Sequence, residues 1–265
     1  MRNPQLNSRG ELTHLLTTEG LSRAILTRLL DAIETSLSQA DERIENLPAL
    51  KDKKIVDLVV DNVRTTTARS LAQGADILVV RSSVSGMPHF LAQQVPAPTH
   101  VISAGDGCHA DPMVALADVF TIRQSKKDFS NLTVLLIGDI LHSAVARSDI
   151  HALTTLGVAE VRVAGPLTLL PEGLAQLGVR ACTDLDEGLA NADVIIVLGP
   201  EPAPARSDSS YVPSVQEYLT CYGLTAERLA CAKKDCLVIA ADTPRKPLEI
   251  AVRHAVMTTI AGAVS

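Results

Sequence analysis

Short runs of β-branched and aliphatic residues, separated by stretches with helical period, are the feature that most constrains how this 265-residue chain can fold. The first such runs lie at 54–61, 77–81 and 100–104, and predicted helices follow them. The same alternation continues over 133–241. Strands that alternate with helices in this way form parallel sheets covered by helices. The sequence therefore predicts an α/β protein.

Two domains are expected, because a polar and charged stretch at 124–132 interrupts the alternation. We place a first domain at 1–123 and a second at 124–249, each a doubly wound parallel sheet. The apolar tail at 250–265 is predicted to form a helix that packs back on the first domain. A chain of this length is long for one core and sufficient for two.

Charge and cysteine content narrow the classes of function. A net charge of −6 provides no basic field for nucleic acid or an anionic membrane. The five cysteines show neither the spacing of a zinc site nor a disulfide framework, so no metal and no cofactor are predicted. No segment has the apolar core of a signal peptide or the length of a membrane span, and a cytoplasmic location is expected.

Several segments carry a more specific signal, and they occur in a fixed order: VISAGDGC at 101–108, TIR at 121–123, GDILHS at 138–143, VARS at 145–148 and GPLTLLPEGL at 165–174. They resemble the aspartate carbamoyltransferase pattern, and similarity at 74–81 and 222–230 extends it over most of the chain. The resemblance implies the aspartate/ornithine carbamoyltransferase fold. It also implies a carbamoyl-phosphate domain, an aspartate domain and a homotrimer with active sites between subunits.

The phosphate loop that the resemblance implies is only partly kept. Where the family has Ser-Thr-Arg-Thr-Arg at a helix N-terminus, this chain has Asn62, Val63, Arg64, Thr65 and Thr66. Arg64 and Thr65 keep the pattern, and Thr66 replaces the second arginine. Two interpretations stay open, a residual anion site formed by these residues or a capped helix with a solvated Arg64.

A block of the family pattern is missing after this loop. The chain passes at once to a segment similar to the family's next helix and strand, without the loop that gives a Ser and a Lys to the neighbouring subunit's site. Arg81 keeps a family arginine at the end of a predicted strand, where open α/β sheets bind ligands. It is a candidate anion contact, with a plain surface arginine as the alternative. Ser82 replaces the histidine that follows it in the family.

The groups that act on the carbamoyl carbonyl are replaced. The family's His-Pro-Thr-Gln, in which the His polarises the carbonyl and the Gln holds the amide, reads Asp111, Pro112, Met113 and Val114 here. We favour Asp111 as a helix N-cap with Pro112 in the first turn. His109 is a candidate base, with a solvated loop histidine as the alternative.

The anion clamps of the aspartate domain are also replaced. Ala144 stands where the resemblance implies an arginine for the α-carboxylate, and Gly-Pro-Glu at 199–201 stands for the Arg-x-Gln clamp. A family turn around a cis proline corresponds to 240–243. Arg206 and Arg245 are either new anion contacts or surface charges.

Three functional hypotheses follow. The first is a pseudoenzyme, a structural or regulatory subunit in a homotrimer or in a complex with an active paralogue or a dihydroorotase. The second is a repurposed enzyme that uses the interdomain cleft on a small anionic or amino-acid-like substrate. The third is weak aspartate carbamoyl transfer in pyrimidine biosynthesis. Candidate groups for a new reaction are ionisable residues near the expected cleft: Arg64, Arg81, His109, Asp111, His142 and Asp242.

Overall fold

The computed structural model describes residues 3–38, 47–60, 70, 73–199, 214–240 and 245–262. The chain divides into two compact units. Unit 1 comprises Met1–Phe120 and Arg245–Ser265, and unit 2 is Thr121–Pro244. These divisions fall a few residues before the boundaries placed from the sequence.

Unit 1 contains a parallel sheet of three strands: β1 (Ile55–Val59), β2 (Ile77–Ser82) and β3 (His100–Asp106). The strands lie in the order β1-β2-β3, with Ile77 paired to Ile55 on one side and to His100 on the other. The run from Ile77 to Val80 is buried throughout, as expected for a central strand of a parallel sheet that is covered on both faces.

The edge of β3 that faces away from β2 is paired with the N-terminal segment. Leu15 forms a parallel bridge with Ile102, because its N–H donates to the Val101 carbonyl at 3.0 Å and its carbonyl accepts from Ser103 N–H at 2.7 Å. The Val101 N–H donates to Nδ1 of His14 at 2.9 Å. The N-terminal segment therefore satisfies backbone groups that the strand edge would otherwise expose.

Helices cover the sheet of unit 1: α1 (Arg23–Leu37), α2 (Met87–Gln94), α3 (Pro112–Lys126) and α8 (Lys246–Gly262). Ser22 caps α1 by accepting from Ile25 N–H, and α1 packs against α8. Ala251 and Ala255 of α8 are fully buried, and such small side chains allow two helices to approach closely.

Unit 2 is built on five parallel strands: β4 (Thr133–Ile137), β5 (Glu160–Ala164), β6 (Val179–Cys182), β7 (Val194–Val197) and β8 (Leu237–Ala240). Their order is β6-β5-β4-β7-β8, so the chain winds outward from β4 to β6 and then reverses, with β7 placed on the other side of β4. The accompanying helices are α4 (Ala144–Leu156), α5 (Leu185–Leu189), α6 (Val215–Tyr222) and α7 (Ala226–Leu229). Short 3₁₀ turns occur in unit 2 at Leu167–Leu169 and Leu174–Leu177, and in unit 1 at Pro48–Leu50.

The prediction of an α/β protein with two parallel sheets is confirmed. The terminal helix begins at Lys246, earlier than its predicted start, and belongs to unit 1. The predicted helix at 65–74 lies mostly outside the described residues. None of the helices within the described ranges is long and apolar enough to span a membrane.

The contact of His14 with β3 predicts that the protein is destabilised by mild acid. Burial, with a smaller effect from His100, lowers the pKa of His14 from 6.5 to about 4. Between these values the unfolded chain binds a proton that the folded chain does not, so stability falls as the pH falls. The full difference corresponds to about 3 kcal/mol.

Urea unfolding followed from about pH 7 to about pH 4.5 measures this dependence. Asn at position 14 can still accept from Val101 N–H but does not titrate, so H14N is expected to show a flatter profile than the wild type. Equal slopes for the two proteins would contradict the assignment to His14.

Candidate functional site

A cavity of about 320 Å³ lies in unit 1 at the carboxyl ends of β2 and β3. Its walls come from these strands, from the first turns of α3 and from the first half of α8. The volume is at the small end of the range for ligand sites. The carboxyl edge of a parallel sheet is also where open α/β proteins bind ligands. The cavity is therefore the candidate site of unit 1.

Asp111 lies on the wall of the cavity at the start of α3. Its Oδ1 accepts from Val114 N–H at 3.2 Å and its carbonyl accepts from Ala115 N–H at 3.2 Å. The predicted N-cap is therefore present, with Pro112 as the first residue of the helix. Asp111 thus places a carboxylate at the positive end of α3.

Arg81 and Asp111 approach each other above Gly105. A Cβ at Gly105 would lie 3.4 Å from Nη1 of Arg81 and 3.7 Å from Oδ2 of Asp111. Burial raises the pKa of Asp111, while the Val114 N–H and the charge of Arg81 act in the opposite direction. The helix N-terminus and Arg81 both favour an anion, and both already face the Asp111 carboxylate.

Two further arginines line the cavity, Arg245 directly before α8 and Arg253 within it, and each is paired with a carboxylate. Arg245 forms an ion pair with Asp118 of α3, whose side chain is only 2% exposed. Nη2 of Arg253 lies 2.8 and 2.7 Å from the two carboxylate oxygens of Asp57 on β1.

The charged groups at this cavity are largely matched in pairs. Among the described residues, three arginines line it together with the carboxylates of Asp111 and Glu249. Asp118 and Asp57 lie outside the lining and pair with Arg245 and Arg253. The arginines therefore offer little unmatched positive charge, which a dianionic ligand needs when it leaves water.

A second group of polar side chains surrounds Asp106, at the end of β3. The Asp106 side chain is fully buried, and its Oδ1 accepts from the backbone N–H groups of Gly86 at 2.7 Å and Met87 at 3.2 Å. Its Oδ2 lies 2.8 Å from Nδ1 of His109. The candidate base predicted at His109 is thus held by a buried carboxylate.

His89 of α2 joins this group. Its ring stands edge-on to the ring of His109, with 5.3 Å between the centroids. Burial, followed by the effect of His109, lowers the pKa of His89, so its neutral form is favoured. Sequence reasoning missed His89 and Asp106, because no local spacing links a residue of α2 to the turn after β3. The only local signal is the i,i+3 spacing of Asp106 and His109.

His142, the remaining histidine candidate, lies in unit 2 after β4. Its Nδ1 lies 3.0 and 2.8 Å from the two carboxylate oxygens of Asp139. The backbone N–H of His142 also donates to Asp139 Oδ1 at 3.0 Å. The structure therefore brings His109 and Asp111 into one turn of unit 1 and places His142 in the other unit. The predicted residues outside the described ranges are Asn62, Arg64, Thr65, Thr66, Arg206 and Asp242.

Two units built on parallel sheets define an α/β protein whose second sheet is doubly wound. Ligand-free aspartate transcarbamoylase from Trypanosoma cruzi is similar to it, with a TM-score of 0.74 and 17% identity over 97% of this chain and 96% of that chain. The structure of the Trypanosoma cruzi enzyme in complex with carbamoyl phosphate and aspartate has a TM-score of 0.71 at 18% identity, with the same coverage.

Ornithine carbamoyltransferase from Gloeobacter violaceus has a TM-score of 0.76 and 18% identity, and the match covers 95% of this chain and 99% of that chain. No protein-family model matches the sequence. The chain therefore has the aspartate/ornithine carbamoyltransferase fold, which confirms the fold implied by the sequence motifs. At such identities the similarity establishes the fold, and the function has to be argued from the site.

The pair of Arg245 and Asp118 predicts a large cost for removing the arginine. In R245L the buried carboxylate loses its guanidinium, and we expect the free energy of unfolding to fall by about 3 kcal/mol. Urea unfolding measures the change. The double variant R245L/D118N should recover part of the loss, because the buried negative charge is then removed.

The exposed pair of Arg180 and Glu187 in unit 2 is the matched control. R180L should leave the unfolding midpoint nearly unchanged, because exposed ion pairs contribute little. An equal loss in R245L and R180L would contradict the role assigned to burial.

Proposed function

We propose that this chain is a protein of carbamoyltransferase fold that has lost carbamoyl transfer and acts as a structural or regulatory subunit of an assembly. The observation that carries the proposal is the pairing of arginines with carboxylates around the unit 1 cavity. Each arginine on its described walls faces a carboxylate of the same unit. A transferase for carbamoyl phosphate needs cationic groups directed at its phosphate and at the developing charge on its carbonyl oxygen.

The position of Asp111 opposes binding of such a substrate. At about 4 Å, two like unit charges repel by about 1 kcal/mol in water and by about 4 kcal/mol near a protein surface. A phosphate dianion at the start of α3 would meet this repulsion whenever Asp111 is ionised. In either protonation state it would have to displace the Asp111 carboxyl group from the helix N-terminus and from Arg81. Weak binding of carbamoyl phosphate is the expected result.

The residues at the family's reactive positions support the same conclusion. By the motif resemblance, Asp111 replaces the histidine that polarises the carbonyl, and Val114 replaces the glutamine that holds the amide. Loss of a single donor to a developing oxyanion typically costs about 10²–10³ in rate. Ala144 further removes the arginine expected for the aspartate α-carboxylate.

A role within an assembly accounts for a fold that is kept while its reactive groups are replaced. The assembly would be a homotrimer, or a complex with an active paralogue or a dihydroorotase. Two features support it. Among the described residues β1 pairs with β2 alone, and Val59 at the end of this edge strand is 80% exposed. Edge strands and exposed apolar side chains are common at contacts between chains.

The loss of carbamoyl transfer is tested with purified protein, carbamoyl phosphate and aspartate. We expect no carbamoyl aspartate above the uncatalysed background, and no rise in Tm with carbamoyl phosphate or inorganic phosphate. In D111N the cap is retained and the charge is removed, so a rise in Tm with phosphate is expected to appear. D139N, which removes a carboxylate in unit 2, is the control and should behave as the wild type.

Robust turnover by the wild type, abolished in R81A, would overturn the proposal in favour of ordinary aspartate carbamoyl transfer. The assembly is tested separately by the mass of the native complex purified under gentle conditions. A lone monomer that captures no partner would contradict the structural role.

A repurposed binding site is the second candidate function, favoured by the mixture of charges around the cavity. Guanidinium groups and carboxylates on the same walls suit a ligand that carries both a positive and a negative charge, such as an amino acid. A screen of amino acids by thermal shift tests it. A hit that is lost in both R81A and D111N would support this candidate, and no shift with any amino acid would eliminate it.

A further inference from the structure

We propose that His89, Asp106 and His109 form a binding site for a divalent transition-metal ion of the Zn²⁺ type. This site is separate from the cavity proposed above for small ligands, and the argument for it does not depend on the loss of carbamoyl transfer. The three side chains lie in unit 1, where α2 begins and β3 ends.

The side chains already present a suitable set of donor atoms. One nitrogen of each histidine and one carboxylate oxygen lie within 4.8 Å of one another. In a tetrahedral zinc site with bonds of about 2.0–2.1 Å, neighbouring ligand atoms are roughly 3.4 Å apart. Side-chain movements of about 1 Å would therefore close the site.

Asp106 is fixed as a ligand before any ion binds. Its Oδ1 is held by the N–H groups of Gly86 and Met87, which leaves Oδ2 directed at His109. A fully buried carboxylate of fixed orientation, hydrogen-bonded at its other oxygen, is a common arrangement around bound metal ions. To bind the ion through Nδ1, His109 would take the neutral tautomer whose proton is on Nε2, and the ion would replace the contact between Nδ1 and Oδ2 of Asp106.

His89 gives an independent indication of a missing partner. Its Nδ1 is buried, and it makes no hydrogen bond in the part of the chain that the structure describes. A buried polar atom left in this state costs about 1–3 kcal/mol. A metal ion bound through this nitrogen would satisfy it.

The backbone around the site is closely packed. Gly107 has a φ of 55°, and a Cβ there would lie 2.7 Å from Ser85 Oγ and 2.8 Å from the Ser83 carbonyl oxygen. Only glycine fits this contact, so the loop before α2 and the turn after β3 are held against each other. Sites on such supported backbones keep their ligands in place.

Two imidazoles and one carboxylate leave a tetrahedral ion with one open position, which a water molecule or a small ligand can occupy. The same donor set also suits Co²⁺ and Fe²⁺. The site is therefore expected to accept Zn²⁺ and Co²⁺ and to discriminate against Mg²⁺, which prefers oxygen ligands.

The test uses the full chain after removal of metals by a chelator. Zn²⁺ is titrated in competition with a chromophoric chelator, and the absorption spectrum of bound Co²⁺ is recorded to separate nitrogen and oxygen ligands from thiolates. We expect one Zn²⁺ per chain, no thiolate band in the cobalt spectrum, and a higher Tm with Zn²⁺ than with Mg²⁺.

H89Q and H109N should each weaken Zn²⁺ binding by at least about 100-fold, because even outer partners of metal ligands contribute 10–100-fold. H142N is the matched control: His142 forms the same i,i+3 pair, with Nδ1 at 2.8 Å from Asp139, but no metal-binding group of three includes it among the described residues. This variant should bind Zn²⁺ as the wild type does.

Cooperative unfolding of each variant without metal shows whether it is folded. If H89Q does not fold, the Zn²⁺ affinity of H109N tests the proposal. The His109 side chain is 33% exposed, so its replacement is expected to disturb folding less. Absence of saturable binding, binding unchanged in H89Q and H109N, or a thiolate band would each overturn the proposal. The three residues would then be a hydrogen-bonded network that holds the turn.

Discussion

The buried carboxylate of Asp106 is the constraint on which the functional edge of unit 1 depends. It joins the start of α2 to the end of β3, through the N–H groups of Gly86 and Met87 on one oxygen and through His109 on the other. Without these three partners a fully buried charge would be unstable. The turn that follows β3 is therefore fixed, and with it the place of Asp111 at the start of α3.

The two sites of unit 1 share this turn but differ in electrostatic character. In the cavity, carboxylates oppose every arginine on the described walls, so a ligand gains little from charge alone. Around Asp106, one carboxylate meets two imidazoles, one of which has a buried nitrogen without a partner in the described structure. A fold can keep its framework while such local balances change, because the strand pattern and the turn glycines do not depend on the reacting groups.

The sequence predicts local features well and long-range ones poorly. The strands, the two sheets and the cap at Asp111 follow from periodicity and from the preferences of single residues, which act over a few positions. The pair of Arg253 and Asp57 joins residues 196 positions apart. Likewise, the edge pairing of Leu15 and the approach of His89 to His109 arise only when the sheet and helices assemble. Nothing in the local pattern marks those partners.

The division of unit 1 between the two ends of the sequence has a consequence for synthesis on the ribosome. Residues Thr121–Pro244 are contiguous, so unit 2 has all its strands once they have been translated. The apolar face of α1 lacks its partner until α8 has also been made. During that interval the apolar face of α1 is exposed on the nascent chain, and chaperones bind surfaces of this kind. Helix α1 is therefore translated well before it can reach its final packing.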